Sequence, residues 1–214
     1  MADYSDVTYS TMLEALELEL GEAIPSKLLI PRWVRFAEIW CERNMDLDIY
    51  EATASLAVAS GSTSVALPAD FNEVKVFYVT RSGVPYGVDV ASPAKAVNYS
   101  DSNSGIPEVC WVSGSGTTLS FRPKADAAYT GTLVYKKKLN PLSLTNPTND
   151  LLTQYFDLLY YRVLMHAAPY LYEDQRVQVW ASLLKQIIAE VEANQWRRKN
   201  LPKFKELRGT PEEY

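Results

Sequence analysis

The apolar residues of this chain change period twice, and that change limits the folds open to it. Near the start they recur at three- and four-residue steps, first as Met12, Leu13, Leu16 and Leu20, then as Trp33, Phe36, Ala37, Trp40 and Cys41. Such spacing gathers side chains onto one face of a helix. From about Ala54 the period falls to two: Leu56 and Val58, Val65 and Leu67, then Val74, Val76 and Tyr78, with further short runs at Val109 to Val112, Thr118 to Phe121 and Thr130 to Tyr135. Alternation of this kind belongs to half-buried strands. Helical spacing returns after Asn149-Asp150. An amphipathic helix must bury its stripe against another element, so the helices at the two ends are expected to pack together. The pattern predicts an α+β chain. An antiparallel helical bundle is formed by the N- and C-terminal segments, and a small antiparallel β-sandwich or barrel is inserted between them. The expected divisions are 1–50 for the first helices, 51–147 for the β domain, 148–196 for a helical hairpin and 197–214 for an extended basic tail.

Local signals place the elements. Thr11-Met12-Leu13-Glu14 has the spacing of a capping box, and Gly21 closes the same helix. Pro31 suits the first turn of a second helix, where its missing N–H has no intrahelical partner, and that helix is expected to end near Asn44. Ser60-Gly61 reads as the turn of a hairpin joining the first two strands, Ser82-Gly83 as another turn, Ser92-Pro93 as the start of a short helix, and 98–107 as a loop. The connector from Leu139 to Thr148 leads to Asn149-Asp150, whose side-chain oxygens can accept from free N–H groups at a helix start. Leu151, Leu152, Tyr155, Leu158, Leu159 and Val163 build the next apolar face, which Pro169 should kink or break. Val177, Trp180, Leu184, Ile187 and Val191 form a heptad-like seam expected to fold back on the preceding helix. After Trp196 only Leu201, Phe204 and Leu207 offer apolar anchors, too few to offset the entropy of ordering, so the tail is expected to be extended or mobile in the free subunit.

Composition excludes several function classes. With 47% hydrophobic residues and five Trp in 214 residues, the chain can bury a sizeable core. A formal charge of −5 disfavours wrapping nucleic acid, which needs Lys and Arg to displace counterions from phosphates. The charge is unevenly placed: Asp3, Asp6, Glu14, Glu17, Glu19 and Glu22 precede the first basic residue, Lys27. Near the other end Arg197, Arg198, Lys199, Lys203, Lys205 and Arg208 are accompanied by Glu206 alone until Glu212 and Glu213. These segments are either two solvated faces or complementary contact surfaces between subunits. Cys41 and Cys110 stand apart in apolar surroundings, which reads as buried thiols without a disulfide framework. The start lacks the basic residues and apolar run of a signal peptide, and no stretch approaches the ~18 apolar residues of a membrane span. The expectation is a soluble protein made in a reducing cytoplasm.

No residue set points to catalysis. His166 is the lone histidine, without a nucleophile, acid partner or second metal ligand nearby in sequence, so it reads as structural or exposed, with neither metal nor cofactor implied. Ser113-Gly114-Ser115-Gly116 lacks the Gly-Lys-Ser/Thr of a phosphate loop and reads as a β-turn. Lys136-Lys137-Lys138 is the densest basic run, either a solvated rim that discourages edge pairing or a contact for DNA or an acidic neighbour. Glu173-Asp174 and Glu212-Glu213 are explained by a helix start and a chain end. Tyrosines at 155, 160, 161, 170 and 172 exceed what one helix face can bury, and Tyr favours protein contacts because it joins a large ring to a polar tip.

Four ordered patches carry a resemblance. Ile30-Pro31-Arg32-Trp33-Val34-Arg35-Phe36-Ala37-Glu38 resembles an I-P-x-[FW]-[IV]-x-x-A-E helix, and Leu67-Pro68-Ala69-Asp70-Phe71 an L-P-x-D-F entry into a strand. Gly105-Ile106-Pro107, Leu119-Ser120-Phe121-Arg122-Pro123 and Tyr129 follow in order. Tyr135-Lys136-Lys137 through Pro141-Leu142-Ser143, Asn149-Asp150-Leu151-Leu152, Ala168-Pro169-Tyr170-Leu171 and Trp180 complete the pattern over roughly residues 8 to 195. They are similar to the head-to-tail adaptor (tail tubular A-like) proteins of short-tailed bacteriophages. Phe156 stands where relatives often have proline before Asp, and the basic tail differs from their Gly/Ser-rich ends. The resemblance implies a non-enzymatic virion protein of the neck, assembled in the bacterial host cytoplasm. The resemblance further implies a ring beneath the portal, of twelve copies to match it, that passes genomic DNA without sequence-specific binding and seats tail nozzle or tail fibre proteins; no membrane contact is implied. On this reading Trp196, Arg197, Arg198, Lys199, Leu201, Lys203, Phe204, Lys205 and Arg208 are the expected portal-docking residues. Glu14, Glu17, Glu22, Tyr155, Tyr160, Tyr161 and Tyr172 are the expected subunit interface. Two alternatives remain: another connector, such as a stopper or tail-completion protein, and a peptidoglycan- or DNA-cleaving enzyme.

Overall fold

Buried residues follow the two periods in the computed structural model, which describes residues 6–21, 24, 26–96, 98–99, 103–171 and 175–199, with two corrections. Phe36 is exposed, and in the strand expected to bury Val74, Val76 and Tyr78 the opposite face is inward, with Phe77 and Val79 buried and Val76 exposed beside a register irregularity. The chain divides into two compact units, Leu47–Leu151 and the flanking Met1–Asp46 with Leu152–Tyr214. The inserted unit is therefore wider than the expected 51–147. Leu47, Ile49 and Tyr50 are buried, the Lys136 ammonium lies 5.3 Å from the Tyr50 ring centre, and Lys137 pairs with Asp150 at 3.1 Å.

The helical unit begins with α1, Tyr9–Leu20, which buries Tyr9, Met12, Leu16 and Leu20. Its capping box lies one turn earlier than the Thr11-Glu14 spacing predicts. Thr8 is extended and its hydroxyl accepts from the Thr11 N–H at 3.3 Å, while Thr11 Oγ1 accepts from the Thr8 N–H at 2.9 Å. Gly21 ends the helix at φ 57°, a left-handed conformation that favours glycine. Helix α2, Ile30–Asn44, carries Pro31 in its first turn and buries Trp33, Val34, Ala37 and Cys41. Two further helices, α5 at Phe156–Ala167 and α6 at Arg176–Lys199, complete the unit, with α2 and α6 each packed on α5. Along α6 the expected seam is present, with Trp180 and Leu184 buried and Val177, Ile187 and Val191 half-buried. Pro169 sits in the 3-10 turn Ala168–Tyr170 that follows α5.

Two helical expectations need correction. The face predicted to run on from Asp150 is interrupted, because Asp150–Gln154 is a separate short helix, α4, and Tyr155 adopts φ −136°, ψ 42° before α5 begins. Phe156 is thus the first residue of α5, the position at which proline is best tolerated. The expected tail also starts late: Arg197, Arg198 and Lys199 form the last turn of α6, where positive side chains complement the helix dipole. Residues 200–214 lie outside the described ones.

In the β unit a seven-stranded sheet has the order β1-β9-β3-β4-β6-β7-β2. Its strands are β1 Glu51–Val58, β2 Ser64–Ala66, β3 Phe71–Arg81, β4 Val84–Val90, β6 Val109–Val112, β7 Thr118–Arg122 and β9 Tyr129–Lys137. The small pair β5 Ser104–Gly105 and β8 Lys124–Ala125 stands beside it, and Pro93–Ala96 forms a short helix, α3. The expected β1/β2 hairpin does not form. Instead β1 pairs with β9, from Glu51 opposite Lys136 to Val58 opposite Tyr129, and β2 pairs with β7. These two strands are the sheet's edges, and residues 59–63 join them, so the sheet curls into a nearly closed barrel. Ser82 and Gly83, at φ 49° and 82°, make the tight β3/β4 turn that matches strand twist. Pairing is antiparallel around the sheet except between β4 and β6, where Asp89 lies opposite Val109 in parallel. Phe77, Val79, Cys110, Leu119, Phe121 and Leu133 fill the interior.

Candidate functional site

The last two turns of α6 collect the most distinctive exposed chemistry. Trp196 is 67% exposed although the seam one residue earlier is closed by buried Gln195. Gln195 Nε2 donates to Tyr155 Oη at 2.7 Å, so the helix is fixed up to the residue before the tryptophan. Arg197 and Arg198 are exposed, Arg197 Nε donates to the Ala193 carbonyl at 3.4 Å, and Lys199 pairs with the Asp46 carboxylate. Trp and Arg side by side on a helix end are residue types that dominate protein contacts, Trp through its large ring and Arg through its planar fork of five donors. Of the expected docking residues, Leu201, Lys203, Phe204, Lys205 and Arg208 lie outside the described ones.

The interface set separates on inspection. Tyr155 is 3% exposed and belongs to the core of its own unit, correcting its assignment to a subunit surface: the break before α5 turns its ring inward to meet Gln195. Tyr160 is half-buried, donates to the Ala15 carbonyl at 3.4 Å and meets Tyr161 edge-on with ring centres 5.8 Å apart. Burial, with Glu19 and Tyr161 nearby, pushes its hydroxyl up to about 12, so it is a neutral donor. Glu14 is exposed, and Glu17 pairs with Lys27 at 2.7 Å. Glu22 and Tyr172 lie outside the described residues.

The remaining features are structural. His166 is half-buried against Phe36, with ring centres 5.8 Å apart, and burial together with neighbouring Arg162 holds its pKa below the ordinary value. Arg162 stacks on Trp40 with its guanidinium carbon 4.4 Å from the ring centre. Burial pushes both Cys41 and Cys110 thiols up to about 12, leaving neither as a thiolate nucleophile. The Ser113 to Gly116 segment is a turn, closed by Gly116 N–H to Ser113 carbonyl at 2.8 Å. Lys136 and Lys137 end a strand with neighbours on both sides, so the basic run does not guard an edge. A cleft of about 260 Å³ beside it carries Asp70 and Asp150 as well as Lys137 and Lys138, a balance of charge unsuited to gripping phosphate. Among the described residues no group of His, Cys, Asp or Glu is placed to hold a metal ion, and no helix is long and apolar enough to cross a membrane.

Two exposed features are not singled out by the sequence pattern. Leu18 is 87% exposed on α1, and α6 bears a shallow groove lined by Gln186, Ala189, Glu190, Ala193, Asn194 and Arg197. A helical wheel drawn on Met12, Leu16 and Leu20 finds the leucine, because Leu18 falls well off that stripe.

No curated protein matches the chain. The family model described as SU10 adaptor protein matches residues 7–203, leaving out only the first six and the last eleven residues. With helical segments at both ends of the sequence and a nearly closed barrel between them in chain order, the chain belongs to the SU10 adaptor protein family and is a structural head-to-tail adaptor of the phage virion.

Proposed function

We propose that the protein joins the portal to the tail as a closed ring, twelve copies to match the portal, through which the genome passes and on whose lower surface nozzle or fibre proteins assemble. A closed ring is built from heterologous contacts, so each subunit needs two different complementary faces. The acidic balance of the chain suits a channel wall along which DNA slides, since attraction to phosphate would slow it. The observation that carries portal attachment is the 67% exposure of Trp196 on a helix end that continues into Arg197 and Arg198. Docking here places an aromatic anchor in a portal pocket, with the following basic residues from Arg198 to Arg208 supplying charge.

Truncation after Trp196 tests the assignment. Within the described residues it removes the exposed Lys199–Asp46 pair, and exposed pairs contribute about 0–1 kcal/mol, so the subunit stays folded. The truncated protein should fail to attach to portal-bearing, DNA-filled heads. Attachment at the full-length level refutes the docking role of the tail. The reading as an adaptor rather than an enzyme is tested by incubating the protein with peptidoglycan and with DNA; cleavage of either would contradict it.

A further inference from the structure

From two exposed surfaces of the helical unit we infer that neighbouring copies meet through α1 of one and the outer groove of α6 of the next, with Leu18 seated at Ala193. This rests on the ring reading and names its contact. On α1 the residues facing away from the core are Ser10, Thr11, Glu14 and Leu18, with Gly21 at the end, so Leu18 is an isolated apolar projection beside an acid. On α6 the groove of about 460 Å³ has Ala189 and Ala193 as its low points and Arg197 at one end. Neither Glu14 nor Arg197 has an ion-pair partner among the described residues.

Spacing joins the two surfaces. Glu14 lies four residues before Leu18, and Arg197 four residues after Ala193, so each charge stands about 6 Å along its helix from the apolar position. Laid antiparallel with Leu18 over Ala193, the helices bring Glu14 against Arg197. The small side chains at 189 and 193 permit the close approach of ridges into grooves. The contact cannot form within one chain. Arg176 Nη1 donates to the Glu19 carbonyl at 2.8 Å, which fixes the end of α1 beside the start of α6. Ala193 lies seventeen residues farther along α6, about 25 Å away. The groove must therefore receive another copy, and the two different patches make the contact heterologous, as a ring requires.

Cysteine pairing on assembled heads tests this, since Cys41 and Cys110 are buried. L18C and A193C proteins, mixed and bound to portal-bearing heads, should give disulfide-linked dimers on mild oxidation, and neither alone should. The double variant L18C/A193C should give a ladder of linked copies. E14R or R197E alone should each lower the copies retained per head about fivefold, and E14R/R197E should restore them. All four positions are exposed, so melting temperatures should match the wild type. Rings on heads without the 18–193 link, links from position 193 to portal alone, or a double reversal no better than the single ones overturn the contact while leaving the adaptor reading intact. Absence of wild-type rings from heads overturns both.

Discussion

Gly131 offers a quantitative test of the barrel. It lies in β9 between Leu56 of β1 and Val79 of β3, and a methyl there would meet Phe77 Cε2 at 2.9 Å, Phe77 Cζ at 3.0 Å and the Leu56 carbonyl oxygen at 3.3 Å. The first of these contacts is closer than real methyl groups come and the other two are tighter than most, and Phe77 is 1% exposed inside a filled interior. Overpacking of a core costs about 1–3 kcal/mol, whereas Gly→Ala gains about 0.4–1 kcal/mol by restricting the unfolded chain. The steric effect therefore wins, and G131A should destabilise the β unit by about 1–2 kcal/mol. Because the chain has two units, a single melting curve is a blunt instrument. Hydrogen exchange of the β9 amides at 129–137 reads the right element, and their protection should fall by roughly five- to thirtyfold. In an F77L background the ring atoms are gone and the added cost of the methyl should largely vanish, a coupling of at least about 0.5 kcal/mol. Unchanged β9 protection in G131A, or an equal cost with and without the Phe77 ring, refutes the packing described.

Three further outcomes follow from the helical unit and the thiols. Q195A removes the donor to a buried tyrosine hydroxyl and should cost about 1–3 kcal/mol in urea unfolding, while W196A, one residue on and exposed, should stay within about 0.5 kcal/mol of wild type and lose head attachment. His166 has its folded pKa held below 6.5, so the unfolded chain binds the proton more readily; its contribution is present above 6.5 and is lost as pH falls through the depressed folded value. Comparing H166Q with wild type from pH 7.5 to 5, the melting temperature of the variant should fall less. Native protein at pH 8 should resist iodoacetamide at both Cys41 and Cys110, with both alkylated after unfolding, as mass spectrometry will show.

Much of the architecture is legible because local physics and tertiary packing agree at particular residues. Pro31 opens α2, Ser82-Gly83 turns β3 into β4, and Trp180 and Leu184 face α5 as their spacing predicts. Where local signals compete with distant partners, they mislead. Ser60-Gly61 does turn, yet Leu56 finds Gly131 across β9 and Val65 finds Leu119 across β7, because closing the barrel satisfies both edges. Strand β4 escapes the pattern because Pro85 and Gly87 interrupt it and every residue in it but Val88 is exposed. Tyr155 reads two ways, as part of the apolar face with Leu158 and Leu159 and as one of too many tyrosines to bury; burial against Gln195 fulfils the first reading, across a break at φ −136° that the spacing does not show. Contact surfaces are least legible, since an exposed Leu18 or Trp196 differs from a core residue only in where the helix points.

Mass measurement of the purified protein, alone and mixed with portal, tests most directly whether this chain is the proposed ring-forming link between portal and tail. A monomer is expected in isolation and, on the portal, an added mass equal to one subunit for each portal subunit; a portal that gains no mass would contradict the ring.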